Sequence, residues 1–482
     1  MMIISGWNYE GVGGMKLETA GVNLYRVGPK GSLPVEVYIY LNEALLPFLE
    51  DEAIKQLTDA ASLPGVYRRV VGMPDIHTGF GLPIGGIMAT EKDGVISAGA
   101  VGMDINCGVR LLMTEIPHRE INKKHLTALL KEIEKRIPVG VGKKSRHSGL
   151  KLEDVLKGGA SFLVKKGYGH PDDLLCCEEE GCMPGANPDK ISTRAKERGN
   201  QLSTLGGGNH FMEIVYVAQV YDDHTASHFG LRQGCIAVLI HTGSRGLGHQ
   251  VCTDYTEIMY KAAKKYGISL PCKGLAAVPI DSPEGQDYYQ AMASATNFAF
   301  ANRQLITYDV REAFCQVFNS SLEELGLKLV YDVCHNIAKF EQYNGRQLLV
   351  HRKGAVKALP PGHPGLSPRF WGTGNPVLVP GSMGNPSYVV VGTEKARDTF
   401  YSVNHGAGRL LSRTAARRNI SPDELKAQIG DTLVNVDRLG KILDEAPQAY
   451  KDVEEVIDTL VVAGFTRKVV QLKPLAVIKG EE

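Results

Sequence analysis

No apolar stretch in this sequence approaches the roughly 20 residues that cross a bilayer as a helix, and Met1 to Glu18 has no basic segment followed by an apolar one. Neither membrane insertion nor secretion is therefore expected. An excess of one charge is missing too. With 54 basic residues against 53 acidic ones, a nucleic-acid partner would have to be held by a local basic patch. Cysteine is scarce, nine in all, and thinly spread apart from Cys176, Cys177 and Cys182. An odd, scattered set is no disulfide framework and fits a reducing cytoplasm. Familiar nucleotide signatures are absent as well. Gly142-Lys143 lacks the glycine five positions upstream that a phosphate-binding loop requires. Asp93-Gly94 follows Glu91-Lys92, so the Lys-x-Asp-Gly signature of lysine-based nucleotidyl transferases does not occur.

With 43% apolar residues, the 482-residue chain can bury a substantial core. Short β-branched runs at Val35 to Tyr40, Val109 to Thr114, Phe211 to Val217, Cys235 to Ile240, Leu327 to Val333, Tyr388 to Val391 and Leu475 to Ile478 read as buried strands. Ile121 to Ile137, Gln286 to Leu305 and Ala449 to Val462 read as helices with charged faces. Ser421-Pro422-Asp423-Glu424 starts another, with an N-cap, an N1 proline and a capping-box Glu. Interleaved strands and helices predict a mixed α/β (α+β) architecture, and no repeat or linker divides it. Because Met15-Lys16-Leu17 could itself begin the protein, residues 1–14 read as a dispensable extension. Residues 138–200, rich in Lys, Gly, Glu and Pro, read as a surface insertion or lid rather than a second core. The 54 glycines gather in turns such as Gly99 to Gly108, Gly206 to Gly208, Gly372 to Gly384 and Gly406 to Gly408. Such turns let backbone amides approach a ligand.

The histidines fall at strand ends, where α/β folds carry their sites. His241 follows Cys235 to Ile240, His335 follows Leu327 to Cys334, and His210 precedes Phe211. Asp104 and Cys107 share a tight loop before another strand. Any one of these residues alone reads as a satisfied polar group at a strand end, but five flanked by glycine-rich backbone read as a metal site, dinuclear if the thiolate bridges. Cys with His favours zinc, whereas Asp, Asn and His also suit manganese. His405 lies among small residues in Val403-Asn-His-Gly-Ala-Gly-Arg409, with Arg409 and Arg413 following as an anion-binding helix start. It could serve as base, ligand or nucleophile, or simply cap that helix. Cys176, Cys177 and Cys182, with His170 nearby, match no strong zinc pattern and read as loop thiols.

Read in order, Met73-Pro-Asp-Ile-His-Thr-Gly79, Gly102-Met-Asp-Ile-Asn-Cys-Gly108, Gly208-Asn-His-Phe211, His241-Thr-Gly-Ser-Arg-Gly246, Cys334-His-Asn336, His351-Arg-Lys-Gly354, Pro380-Gly-Ser-Met383, His405-Gly-Ala-Gly-Arg409 and the closing Leu472 to Gly480 resemble the RtcB family of RNA-splicing ligases. The resemblance runs from about Met15 onward. It implies a single catalytic domain over 15–482 with the family's own fold. It also implies a GTP- and manganese-dependent joining of RNA 2′,3′-cyclic phosphate or 3′-phosphate ends to 5′-hydroxyl ends, in tRNA splicing and RNA repair. By motif, Asp104, Cys107, His210, His241 and His335 would hold two Mn²⁺, with Cys107 bridging. His405 would carry GMP, pass it to the RNA 3′-phosphate, and the 5′-hydroxyl would displace it. Guanylate contacts would come from Asn209, His210, Phe211, Met212, Glu213, His335, Asn336, Pro380, Gly381, Ser382, Met383, Ser387, His405, Gly406, Ala407, Gly408 and Lys479. Arg245, Arg409 and Arg413 are assigned to RNA or terminal phosphates, since guanidinium forks fit phosphate oxygens. Broken RNA ends are the implied partner, archease a candidate activator, and a cytoplasmic monomer the expected state. Two rivals use the same residues differently. A dinuclear phosphatase or RNA phosphodiesterase would need no covalent histidine. A non-catalytic RNA-binding protein would rely on Lys143 to His147 and Arg409 to Arg418, runs that are as a rule solvated faces.

Overall fold

The computed structural model describes residues 9–10, 16–437 and 439–481. The expected extension at 1–14 therefore lies, apart from a two-residue strand at 9–10, outside the described residues.

Each run read as a strand forms one, and the runs assemble into two sheets. The first orders Tyr9–Glu10, Lys16–Gly21, Leu24–Val27, Glu36–Tyr40, Val66–His77, Ile84–Glu91, Arg346–Lys353 and Asn336–Tyr343 side by side. The second orders Lys328–Cys334, Gly108–Pro117, Cys235–Thr242, Phe211–Val220, Thr466–Lys479, Ser387–Gly392 and Val377–Val379. Facing sides share one apolar cluster, where Val71, Met73 and Ile87 of the first sheet join Leu111, Val215, Leu239 and Val389 of the second. Period-two alternation sorts the side chains of the second sheet. Ala237 and Leu239 enter the inter-sheet core, whereas Ile236, Val238 and Ile240 face helices on the other side. Phe211 and Val215 likewise point inward, and Met212 and Ile214 outward.

Two helices cover that outer face: Lys123–Arg136, through Leu126, Leu129 and Ile133, and Pro283–Phe318, through Ile306, Val310 and Phe314. The second outruns the expected Gln286 to Leu305. Ser282 Oγ caps its start by accepting from Gly285 N, and Asn319 in the left-handed region at φ 50° ends it. The polar run Asn302, Arg303, Gln304, Asp309 and Arg311 disguised its length, because these residues are buried and paired rather than solvated. A helix buried on all sides carries no amphipathic stripe to read.

Residues 138–200 correct the expectation of a surface lid. They contribute the helix Leu152–Lys165, whose Val155, Leu156 and Leu163 are fully buried against the long helix. Gly159 permits close packing there: its φ of 52° is left-handed, and a Cβ would stand 2.4 Å from Gly181 O and 3.5 Å from Asn297 Cα on the long helix. The capping box at Ser421 forms as read, on Pro422–Ile429. Among the described residues no helix is long and apolar enough to cross a membrane.

Candidate metal centre and nucleotide pocket

Four neighbouring strands of the second sheet end together, and their ends carry the predicted ligands. His241 pairs in register with Val109 and Phe211, and Cys334 pairs with Gly108. His335, His241 and His210 are thereby gathered round the Asp104–Cys107 loop. That loop is closed by Cys107 N donating to Asp104 O at 2.9 Å, with Asn106 at φ 50°. Gly243 has to be glycine here, since a Cβ would lie 2.6 Å from Asp104 Oδ1 and 2.7 Å from Cys107 Cα.

The five donor groups form two triads that share one sulfur: Asp104, Cys107 and His210, and Cys107, His241 and His335, each with its donor atoms within 4.8 Å of one another. Cys107 Sγ stands 3.4 Å from His210 Nε2 and 3.3 Å from His241 Nε2, and His241 Nε2 is 3.4 Å from His335 Nε2. Asp104 Oδ2 is 2.7 Å from His210 Nε2, while its other oxygen accepts from Ser244 Oγ at 3.1 Å.

A buried charge lattice fixes these ligands from behind. Arg303, fully buried on the long helix, donates from Nη1 to Asn106 O and Thr242 O, both at 2.9 Å, and from Nη2 to Asn106 Oδ1 at 3.0 Å. One guanidinium thus bonds the neighbours of Cys107 and His241. Its Nε donates to Asp332, which also accepts from Arg110 Nε at 2.8 Å. Neither sits in a recognisable motif; partners 197 and 61 residues away identify Arg303 only in three dimensions.

Protonation favours cation binding. Burial, reinforced by neighbouring imidazoles, holds His241 and His335 well below the usual histidine range, so their ring nitrogens are neutral donors. Burial and then Asp104 push the Cys107 thiol well up. A bound metal ion reverses that cost by taking the thiolate as ligand. Burial would raise Asp104, but the His210 hydrogen bond and charge prevail and hold it well below the carboxylate range. Two triads meeting at one soft atom therefore fit a pair of divalent metals.

His405 stands beside this cluster, its ring 4.7 Å from that of His335. It follows the strand Ser402–Asn404, and the next helix begins only at Arg413, capped by Ser412, so His405 caps no helix. Its Nδ1 is 2.7 Å from Asp75 Oδ2, which also accepts the His405 backbone N at 3.0 Å. Asp75 is fully buried on Val66–His77, and among the described residues its Oδ1 has no hydrogen-bond partner. This carboxylate was missed as a site residue, although an acid inside Val70-Val-Gly-Met-Pro-Asp-Ile-His77 was the signal. Gly408 abuts it so closely that a Cβ would lie 2.2 Å from Asp75 O. Held at Nδ1, the ring keeps Nε2 as its unshared donor atom.

A pocket of about 290 Å³ opens beside His405. Of the residues expected to contact guanylate, Asn209, Phe211, Glu213, Pro380 to Met383, His405 to Gly408 and Lys479 line it. Five others stand elsewhere: His210 and His335 belong to the metal-ligand triads, and three more do not line the cavity. Met212 faces the helix side of its strand. Asn336 donates to Asp104 O and accepts from Gly354 N. Ser387 Oγ accepts from Gly381 N, bracing the Pro380–Met383 loop. Glu213 Oε2 is buried and has no partner among the described residues, and burial pushes its carboxyl up to about 8. Glu445 and Tyr450, with no sequence signal, close the wall. Glu445 pairs with Lys479 at 2.9 Å and Arg409 at 3.1 Å, and accepts from Tyr450 Oη at 2.6 Å. Arg409 is thus engaged by Glu445, and Arg245 lies 3.0 Å from His210 Nδ1, while Arg413 lines the pocket.

Residues 56–480 match the family described as tRNA-splicing ligase RtcB. The chain is 45% identical to the tRNA-splicing ligase RtcB of Archaeoglobus fulgidus, covering 94% of this chain and 96% of that protein. It is 46% identical to the protein of that name from Thermococcus kodakarensis, over 92% and 94%. The RNA-splicing ligase RtcB of Mycobacterium tuberculosis is 45% identical over 88% of this chain and its own whole length. The chain belongs to the RtcB family and is an RNA ligase.

Proposed function

We propose that the protein joins RNA 3′-phosphate or 2′,3′-cyclic phosphate ends to 5′-hydroxyl ends, using GTP and a covalent guanylyl–His405 intermediate. One observation carries this reading: His405 Nδ1 is bound to the buried Asp75 carboxylate while its ring adjoins His335 at the nucleotide pocket. A general base or a metal ligand can use the same carboxylate; a nucleophile needs its far nitrogen bare and its emerging positive charge stabilised, and this pair, opening on the pocket, supplies both.

The donor set suits two divalent ions, read as Mn²⁺ from the family, which when bound supply positive charge against the triphosphate. His405 Nε2 attacks the α-phosphorus, the N–P bond forms and pyrophosphate departs, while Nδ1 keeps its proton and donates it in a hydrogen bond to the Asp75 carboxylate, whose charge stabilises the cationic ring. The RNA 3′-phosphate then takes the guanylyl group and restores neutral His405. Attack of the 5′-hydroxyl on the 3′-phosphorus makes the phosphodiester and releases GMP, its proton passing to solvent. A cyclic end is first hydrolysed to the 3′-phosphate.

Glu213 supports guanine over adenine, because a carboxylate can accept from both N1–H and N2–H of guanine, whereas adenine offers an acceptor at N1. Glycine-rich backbone at Pro380–Met383 and Gly406–Gly408 can approach the phosphates closely.

The test is to mix the protein with Mn²⁺ and GTP or ATP labelled on the α-phosphate. An acid-labile, base-stable labelled protein is expected with GTP, and none with His405→Ala. Label released only as free nucleotide, with no adduct under any divalent metal, would replace this reading with the hydrolase.

A further inference from the structure

We infer that the loop Lys143–His147 docks the sugar–phosphate backbone of the RNA substrate, away from its reacting ends; this rests on the ligase reading above. Lys143, Lys144 and Arg146 are exposed and, among the described residues, none has an ion-pair partner. Some surface cations are answered locally, as at Lys55–Asp59, Lys190–Asp287 and Lys273–Glu257, whereas these three lie within four residues of one loop. Balanced overall charge makes such an unanswered cluster the kind of patch a polyanion would need.

The loop is braced rather than free. Ser145 N donates to Asn200 O at 2.7 Å, and His147 N donates to Ser145 Oγ at 3.1 Å. His147 Nε2 lies 2.8 Å from Asp309 Oδ2 on the long helix, and Tyr168 packs edge-on against its ring. His147 therefore anchors the loop while the three cations project from it. Beside them Arg146 borders a cavity of about 300 Å³.

The loop also begins at the mouth of the ligation site. Gly140 N donates to Gly206 O at 3.1 Å, and Gly480, next to the pocket residue Lys479, is packed against both glycines. A strand whose end lies in the pocket would meet the cations within a few residues of leaving it. That continuity favours RNA backbone over an acidic protein as the occupant. Phosphate contacts there carry no sequence information, which suits an enzyme that must accept many broken ends.

The test compares wild type with the triple variant Lys143→Ser, Lys144→Ser, Arg146→Ser. The probes are a 3′-phosphorylated RNA of roughly 30 nucleotides and a trinucleotide with the same end. Losing three phosphate contacts should make the slope of log affinity against log salt shallower by about 2 for the long RNA. KM for joining the long RNA should rise about tenfold or more, with the trinucleotide's KM and the rate of GMP–protein formation unchanged. An unchanged slope and KM overturn the inference, as does an equal loss for both RNAs. A variant that keeps RNA affinity but loses binding to polyglutamate reassigns the surface to an acidic protein. Failure of wild type to form the GMP adduct would instead strike the ligase reading, independently of this slope.

Discussion

Where Cys107 and His241 meet, Arg303 and Asp332 clamp the backbone through a lattice of fully buried charges. In the adjoining pocket, the Pro380–Met383 and Gly406–Gly408 segments present backbone, and Glu213 presents a carboxyl oxygen that no group among the described residues satisfies. The backbone of the metal side is fixed by the protein before any ligand arrives, although the Nδ1 atoms of His241 and His335 have no partner among the described residues, whereas the nucleotide side retains in Glu213 an unmet hydrogen-bonding capacity that a purine can fill. Ligand geometry for metals tolerates little error, so it is set by the scaffold; selection among nucleotides needs groups left open for the incoming base.

The two sides can be separated by substitution. Asp75→Asn should leave the metal side intact while removing the charge that stabilises cationic His405. GMP–protein formation should slow by on the order of 10²- to 10⁴-fold, and metal content by elemental analysis should match wild type. A parallel loss of metal would mean that Asp75 serves the ligand cluster instead. Next in size, Arg303→Met removes one of the two guanidinium partners of the buried Asp332 and the clamp on Asn106 and Thr242. A loss of about 3–5 kcal/mol in denaturant unfolding is expected. Mn²⁺ affinity by titration calorimetry should fall more than that of a core variant of equal instability. Equal Mn²⁺ affinity in the two variants would show that the clamp supports the fold alone.

The smallest effect is one of pH on the nucleotide side. Burial lifts the Glu213 carboxyl to about 8, so in the free protein it is protonated below that pH, while guanine's two donors require the ionised form. GTP affinity should therefore rise by up to about tenfold per unit as pH climbs toward 8 and level off above it. Stability runs the other way. Between about 4.3 and 8 the folded protein holds a proton that the unfolded chain has lost, so stability falls as pH rises across that window. Glu213→Gln should flatten both profiles and erase the preference for GTP over ATP. A pH-independent GTP affinity in wild type would show that Glu213 does not meet the base.

Much of this site was legible in the sequence, for definable reasons. Apolar runs with strand period end at His241 and His335, and ligand chemistry singled out Asp104 and Cys107 without any distance in hand. The period-two rule, applied within Phe211–Glu213, would have removed Met212 from the pocket: neighbours in a motif face opposite sides of a strand. Asn336 and Ser387 lie in motifs too, yet they hold Asp104 and Gly381 rather than facing the cavity. What could not be read is what long-range closure creates. Asp75 reaches His405 across 330 residues, and Glu445 meets Lys479 across 34. Arg303 looked like one more charge on a helix face until the fold buried it.

The central claim is that one ring nitrogen, on His405, accepts the guanylyl group while the cluster sharing Cys107 does not. Proteolysis and tandem mass spectrometry of protein incubated with GTP and Mn²⁺ addresses it directly. The account predicts GMP on the peptide bearing His405, retained in Glu213→Gln at raised GTP and absent from Cys107→Ala. GMP on Lys479 or another lysine, or on no residue while RNA is still joined, would contradict it.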